Sequence, residues 1–210
     1  MDADAVEIRV LGCLIEKQRT TPEAYPLSLN ALRLACNQST NRNPVVDYDE
    51  PEIRAALDRM SNRGWVRLAS GPGSRAVKYR HLLDQALGLA KDELALLAVL
   101  MLRGAQTLGE LKQRSERLHA FASTEEAAET LDRLAGRDLV ARLPRRPGQK
   151  EDRFAQLLGG EEEADAAPSP QAPATEDAST RLTTIEQRLD RLERNLDELL
   201  TRLDSLPADE

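Results

Sequence analysis

The sequence is poor in aromatic residues, histidine and cysteine. Aromatic side chains make up 3% of its 210 residues, and it has two histidines and two cysteines. Stacking of bases on aromatic side chains is therefore not expected, and the cores must consist of aliphatic residues, as in small helical domains. His81 and His119 lack cysteine or carboxylate partners at ligand spacing, so neither a metal site nor a cofactor is expected.

Long apolar runs, targeting signals and catalytic motifs are also missing. No apolar run reaches the roughly 18 residues of a membrane span, and the acidic N-terminus does not resemble a signal peptide, so we expect a cytoplasmic protein without a membrane partner. Cys13 and Cys36 lie on apolar helical stretches and are expected to be buried thiols. The glycine-rich segment 71–74 joins two predicted strands and lacks the Lys-Ser/Thr of a phosphate-binding loop, and no nucleophile motif is present. We expect no enzyme activity.

Charge is distributed unevenly along the chain. The net charge is −7, but residues 1–83 contain 12 basic and 10 acidic residues, residues 84–160 contain 12 of each, and residues 161–210 contain 5 and 14. The acidity therefore belongs to the C-terminal tail. The nearly neutral body neither indicates nor excludes nucleic-acid binding.

Residues 49–81 predict a helix followed by a β-hairpin. Asp49 is a good N-cap, with Pro51 in the first turn and Glu52 at the capping-box position, and the segment 62–64 ends the helix. Two β-rich arms then flank the turn at 71–74. A helix that runs into a hairpin is typical of the second half of a winged helix-turn-helix domain, in which the hairpin is called the wing.

This pattern occurs a second time in the sequence. The apolar positions of the helix recur with an offset of 74 residues, and those after the hairpin with an offset of 75. At the offset of 74, the residues Ile53, Leu57, Met60, Trp65 and Val66 match, in this order, Ala127, Leu131, Leu134, Leu139 and Val140. At the offset of 75, Tyr79, Leu82 and Leu83 match Phe154, Leu157 and Leu158. Capping boxes are predicted at Thr107 and Ser123. The fold class is therefore mainly α with small β-hairpins (α+β), as two tandem winged-helix domains at 1–83 and 84–158.

The C-terminal part predicts a flexible linker and a coiled coil. Residues 159–180 are acidic and rich in proline and alanine, which is typical of flexible linkers. Residues 181–206 carry an unbroken heptad of Leu182, Ile185, Leu189, Leu192, Leu196, Leu199, Leu203 and Leu206. Pairing of Arg181 with Glu186 and of Arg188 with Glu193 favours a parallel homo-oligomer. The number of strands stays open, as does packing of this helix back onto its own body.

Three segments resemble a bacterial family. EKQRTTPEAYPLSLNALRLACNQSTNRNPV (16–45), VKYRH (77–81) and LRGAQTLGEL (102–111) resemble the YceH family of uncharacterised proteins. The resemblance covers about residues 3–158 and implies tandem winged helices with a C-terminal helical tail, but no biochemical activity. In that family a lysine often follows Cys-Asn-Gln, whereas this chain has Ser39, so a phosphate contact from this loop would lack a cation.

The predicted function is binding of double-stranded DNA, with transcription control as the associated process. Basic hairpins suit contacts with phosphates or the minor groove. The candidate nucleic-acid-binding residues are Asn41, Arg42, Arg75, Lys78, Arg80, Arg145, Arg146 and Lys150. The polar loop 37–43 can contact bases or satisfy backbone groups, and both interpretations stay open.

Acidic residues in the third helix of each domain favour a different function. The carboxylates at the start of these helices are Asp47, Asp49, Glu50 and Glu52 in the first domain, and Glu125, Glu126 and Glu129 in the second. These carboxylates would repel phosphates in the major groove, although they also complement the helix dipole. The alternative is a protein–protein scaffold that uses the winged-helix surfaces and the coiled coil.

Overall fold

The computed structural model describes residues 3–69, 77–145 and 151–159. These segments form an α+β structure in which helices predominate and two small antiparallel sheets are present. The mainly α prediction with small β-hairpins is confirmed at this level. The predicted coiled coil, nearly all of the predicted linker, and Arg75, Arg146 and Lys150 lie outside the described residues.

The first half contains three helices of two turns or more, a short 3-10 turn at Pro22–Ala24, and three strands. In chain order these are α1 (Ala5–Thr20), β1 (Leu27–Ser28), α2 (Leu29–Cys36), α3 (Glu50–Asn62), β2 (Val66–Leu68) and β3 (Lys78–His81). The predicted helix and hairpin of residues 49–81 are confirmed as α3, β2 and β3, whereas the sequence analysis did not predict β1.

The second half repeats this order of elements after a short connecting helix, α4 (Leu83–Leu87). It contains α5 (Lys91–Arg103), β4 (Gln106–Thr107), α6 (Leu108–Ser115), α7 (Thr124–Ala135), β5 (Val140–Leu143) and β6 (Arg153–Gln156). The strand orders, β1-β3-β2 and β4-β6-β5, are equivalent. Leu68 pairs with Tyr79 in the first sheet as Arg142 pairs with Phe154 in the second. The predicted internal repeat is therefore present in the described residues.

Local sequence signals explain where most helices begin. The carboxylate of Asp49 accepts a hydrogen bond from the Glu52 N–H, and the Glu52 side chain accepts one from the Asp49 N–H, both at 2.8 Å. Thr107 and Glu110 form the same capping box. At Ser123 the box is incomplete, because the Glu126 carboxylate accepts from the Ala122 N–H instead. Gly64, with φ of 72°, follows the end of α3 in the left-handed conformation that glycine tolerates.

The cores of the two halves meet where α1 packs against α5. Their buried aliphatic side chains belong to one hydrophobic cluster. A methyl group at Gly12 in α1 would lie 2.9 Å from the side chain of Leu102 in α5, so the two helices approach closely at that point. The boundaries 1–83 and 84–158 stay a prediction, but the two halves contact each other through buried surfaces.

Cys13 and Cys36 are buried free thiols, as expected from the sequence. The neighbouring Cys13 thiol and burial raise the pKa of the Cys36 thiol, so that this thiol stays protonated. Among the described residues, no helix is both long and apolar enough to cross a membrane.

Candidate nucleic-acid interface

The first sheet has one apolar face and one basic face. Tyr79 and His81 of β3 are buried, whereas Lys78 and Arg80, which alternate with them, are partly exposed. Side chains of a strand alternate between the two faces, so Lys78 and Arg80 lie on the face away from the core. Arg67 of β2 is directly opposite Arg80 in the antiparallel register and is exposed. We call Arg67, Lys78 and Arg80 the basic face.

Within the described part of the chain, no carboxylate forms an ion pair with the basic face. The ion pairs of the described residues involve other cations, among them Arg42, Arg59, Arg133 and Arg142. Like charges directly opposite each other on a sheet are destabilising. The arrangement of Arg67 and Arg80 would therefore become more favourable with an anion between the two guanidinium groups.

The N-terminus of α2 lies beside this face. Ser28 pairs with Lys78 in the sheet and is also the N-cap of α2, where its hydroxyl accepts a hydrogen bond from the Ala31 N–H at 3.3 Å. The positive end of a helix dipole thus begins one strand away from the lysine. This end adds to the positive potential of the basic face.

Buried polar contacts hold the hairpin on the side of the sheet that faces the core. The His81 N–H donates a hydrogen bond to the Tyr25 hydroxyl at 2.9 Å, and the His81 Nε2 lies 2.7 Å from the Gln18 Oε1. Burial lowers the pKa of His81 to about 4, although the Asp84 carboxylate acts in the opposite direction. Burial also raises the pKa of Tyr25 to about 12. His81 is therefore neutral near pH 7 and adds no charge to the hairpin.

Arg42, one of the predicted DNA contacts, is buried instead of facing solvent. Its guanidinium binds both carboxylate oxygens of Glu16, at 3.1 and 2.6 Å, and donates to the Ala35 carbonyl at 3.0 Å. The arginine side chain has no exposed area. It stabilises the loop after α2 from inside, and we leave it out of the proposed interface.

The polar loop that contains Asn41 connects the two halves. Asn41 has a left-handed backbone, with φ of 61°, and its side chain accepts a hydrogen bond from Arg103 at the end of α5. The Asn43 N–H donates to the Leu102 carbonyl at 2.9 Å. Asn37 binds the backbone of Tyr48 in both directions. These contacts satisfy backbone groups and favour the structural interpretation of this loop over base contacts.

The second sheet differs in charge from the first. Ala141 and Ala155 occupy the positions that correspond to Arg67 and Arg80, and Ala155 is buried. Arg142 is bound by Asp152 at 2.7 and 2.8 Å. Arg145, a predicted DNA contact, is exposed just beyond β5. The two hairpins are therefore not equivalent as anion-binding surfaces.

Sequence reasoning omitted Arg67, which lies on the edge strand β2 and belongs to the basic face. The alternation of apolar and basic residues in 66–68 and 78–81 was the available signal. However, the register that sets Arg67 opposite Arg80 depends on the length and conformation of the turn, which the composition of the arms does not determine.

The chain is thus a mainly helical α+β protein with two similarly ordered halves and an unbalanced basic sheet face. It belongs to the family described as "Protein of unknown function, DUF480", whose model matches residues 3–149. A UPF0502 protein of Geotalea uraniireducens is 50% identical over 191 residues, which cover 90% of this chain and 86% of that protein. A UPF0502 protein of Azotobacter vinelandii is 48% identical over 187 residues, which cover 87% of this chain and 83% of that protein. A UPF0502 protein of Pelobacter propionicus is 54% identical over 162 residues, which cover 76% of this chain and 74% of that protein.

Proposed function

We propose that the protein is a non-enzymatic, cytoplasmic, tandem winged-helix protein that binds double-stranded DNA. The repeated order of helix, strand, two helices and two strands supports the winged-helix assignment, as does the resemblance to the YceH family. Transcription control is the process that we associate with it. This association rests on the fold, and folds of this kind also serve other functions.

The observation that carries the proposal is the basic face of the first sheet. Arg67, Lys78 and Arg80 are adjacent, at least partly exposed, and without an ion pair among the described residues. Phosphate groups are the anions that arginine and lysine bind most often in nucleic-acid complexes. The first hairpin is therefore the principal DNA contact, and Arg145 of the second hairpin is a supporting one.

The third helices do not favour insertion into the major groove. Glu50 and Glu52 are exposed in the first turn of α3, and Glu125 and Glu129 are exposed on α7. A helix that enters the groove passes its first turn between two phosphate backbones. Carboxylates at this position raise the electrostatic cost, so the proposed contacts are with phosphates and carry little sequence information.

The test is titration of a fluorescent DNA duplex followed by anisotropy at several salt concentrations. The full-length chain should bind at low salt and lose affinity as salt rises, because bound counterions are released from DNA. Replacing Arg67→Glu and Arg80→Glu together should lower the affinity at least about tenfold and reduce the salt slope by about 2.

A matched control keeps the change in charge but alters its position. Lys91 and Arg117 are exposed in the second half, away from either hairpin in the sequence. Lys91→Glu with Arg117→Glu should retain most of the affinity. Absence of salt-dependent binding by the full-length chain would reject the proposal, and equal losses in the two double variants would reject the basic face as the site.

A protein–protein scaffold is the second candidate, and α7 is the observation that favours it. Glu125, Glu129 and Asp132 are exposed at helical spacing, and none of them forms an ion pair with another described residue. A basic partner surface would fit this stripe. Purification of the tagged chain that returns stoichiometric protein partners, unchanged after nuclease treatment, would favour the scaffold over DNA binding.

A further inference from the structure

A cleft opens in the second half between α6, α7 and the β5–β6 hairpin. Its volume is about 640 Å³. The apolar lining comes from Leu108 and Phe154, and the polar lining includes Thr124, Arg142 and Arg145. Ligand sites commonly have this size and combine an apolar surface with a few polar groups. The cleft lies outside the basic face of the first sheet.

The two halves differ in sequence and exposure at this place. Gly109 is the second residue of α6, where α2 has Asn30, so the second half lacks a side chain there. Phe154 corresponds to Tyr79, which is 8% exposed, whereas Phe154 is only partly buried. A Cβ at Gly109 would have no atom within 4 Å. Gly109 and Phe154 both line the cleft, and the space beside Gly109 is open.

The two arginines that line the cleft differ in whether they form an ion pair. Arg142 is held by Asp152, but Arg145 has no ion pair with any residue that the structure describes. The capping box of α6 occupies the N–H groups of Thr107 and Glu110. The N–H groups of Leu108 and Gly109 have no partner within the helix, as is usual in a first turn. An anionic group in the cleft would meet these N–H groups and the Arg145 guanidinium.

The cleft also contains a carboxylate that limits the charge of its ligand. Glu151 lines the cleft together with Asp152, and Glu151 is exposed without an ion pair among the described residues. One negative charge near Arg145 is favourable, whereas a second would lie close to Glu151. Among the lining residues that the structure describes, this charge balance favours a monoanion over a phosphate or another dianion.

We propose that this cleft binds a small organic acid that has one carboxylate and a flat apolar group. The ring packs against Phe154 and Leu108, and the carboxylate is bound by Arg145, the Thr124 hydroxyl and the first N–H groups of α6. Arg145 is also the supporting DNA contact proposed above, but binding of the acid requires no nucleic acid and can be tested in its absence.

The experiment uses fluorine NMR with the full-length protein and three probes. These are 4-fluorophenylacetate, the neutral 4-fluorophenylacetamide and 4-fluorobenzylphosphonate, each titrated at about pH 8.5, where the phosphonate is mostly doubly charged. The acid should broaden and shift on addition of protein, and its affinity should exceed that of the amide and the phosphonate by about tenfold, the effect of one charge-assisted contact. Equal binding of acid and amide, or no binding of the acid, would overturn the proposal.

Two substitutions at Gly109 locate the site. Gly109→Leu places a bulky side chain in the cleft and should strongly weaken binding of the acid, whereas Gly109→Ala adds one methyl group and should retain it. Both variants replace a helical glycine at a position with open space, so thermal melting should show no loss of stability. Arg145→Gln, at an exposed residue, should weaken the acid about tenfold and leave the amide unchanged. Unaltered binding of the acid to Gly109→Leu would place it elsewhere and reject the cleft.

Discussion

His81 connects the basic hairpin to the core and makes the stability of the protein depend on pH. Its ring is fully buried beside Gln18, and the charged groups near it are Asp84, Arg80 and Arg19. Burial lowers its pKa from 6.5 to about 4. Between these values the unfolded chain binds more protons than the folded one, so the free energy of unfolding falls as the pH decreases.

We therefore predict that His81→Gln makes stability less dependent on pH. For the unaltered chain, the contribution of His81 to the loss between pH 6.5 and pH 4 is on the order of 3 kcal/mol. Urea unfolding at a series of pH values measures it. The variant should lose less stability over this range than the unaltered chain. Parallel pH profiles for the variant and the unaltered chain would contradict the assignment.

Contacts between residues close in the chain can be predicted from the sequence, whereas contacts between distant residues cannot. Asp49, Thr107 and Ser123 were predicted as helix caps because their partners lie within a few positions in the chain. Arg42 was expected at a surface, yet it binds Glu16, which lies 26 residues away. Whether an arginine is exposed depends on which distant carboxylate the fold brings close, and spacing along the chain does not report this.

At the scale of elements, Gly12 sets the distance between α1 and α5. A methyl group there would lie 2.9 Å from Leu102 and 3.1 Å from the Met101 Cβ. Gly12→Ala should separate the helices and lower the free energy of unfolding by about 1 kcal/mol or more, since overpacking exceeds the gain in helix propensity. Gly109→Ala is the matched control and should stabilise the chain. Urea unfolding distinguishes them, and stabilisation of both would refute the close approach.

The helices and hairpins were predictable as elements, but their surfaces were not. The offset of 74 residues identified the repeat because equivalent core positions keep similar side chains. The basic face and the cleft are places where the halves differ: Arg67 and Arg80 against Ala141 and Ala155, and Asn30 against Gly109. Such differences become meaningful only when the strand register is known, because one residue of slip moves a side chain to the other face.

For the whole molecule, the heptad of residues 181–206 predicts a parallel coiled coil. Light scattering of the full chain should give an integral multiple of the chain mass, and deletion of residues 181–210 should reduce it to that of a monomer. The reason is the continuous seam of Leu182, Ile185 and the following heptad positions. Substituting charged residues for Leu189 and Leu196 in the full chain should have the same effect. An unchanged mass after deletion would exclude this segment as the oligomerisation element.

The packing of α1 against α5 holds together the two halves that meet in the chain between residues 83 and 84. Each half on its own would expose the leucine-rich helix face that the other half now covers, and the Leu102 carbonyl would lose the Asn43 N–H. Two fragments divided at this position would have complementary apolar surfaces. We expect two such fragments, mixed in solution, to associate through these surfaces and to fold better together than apart.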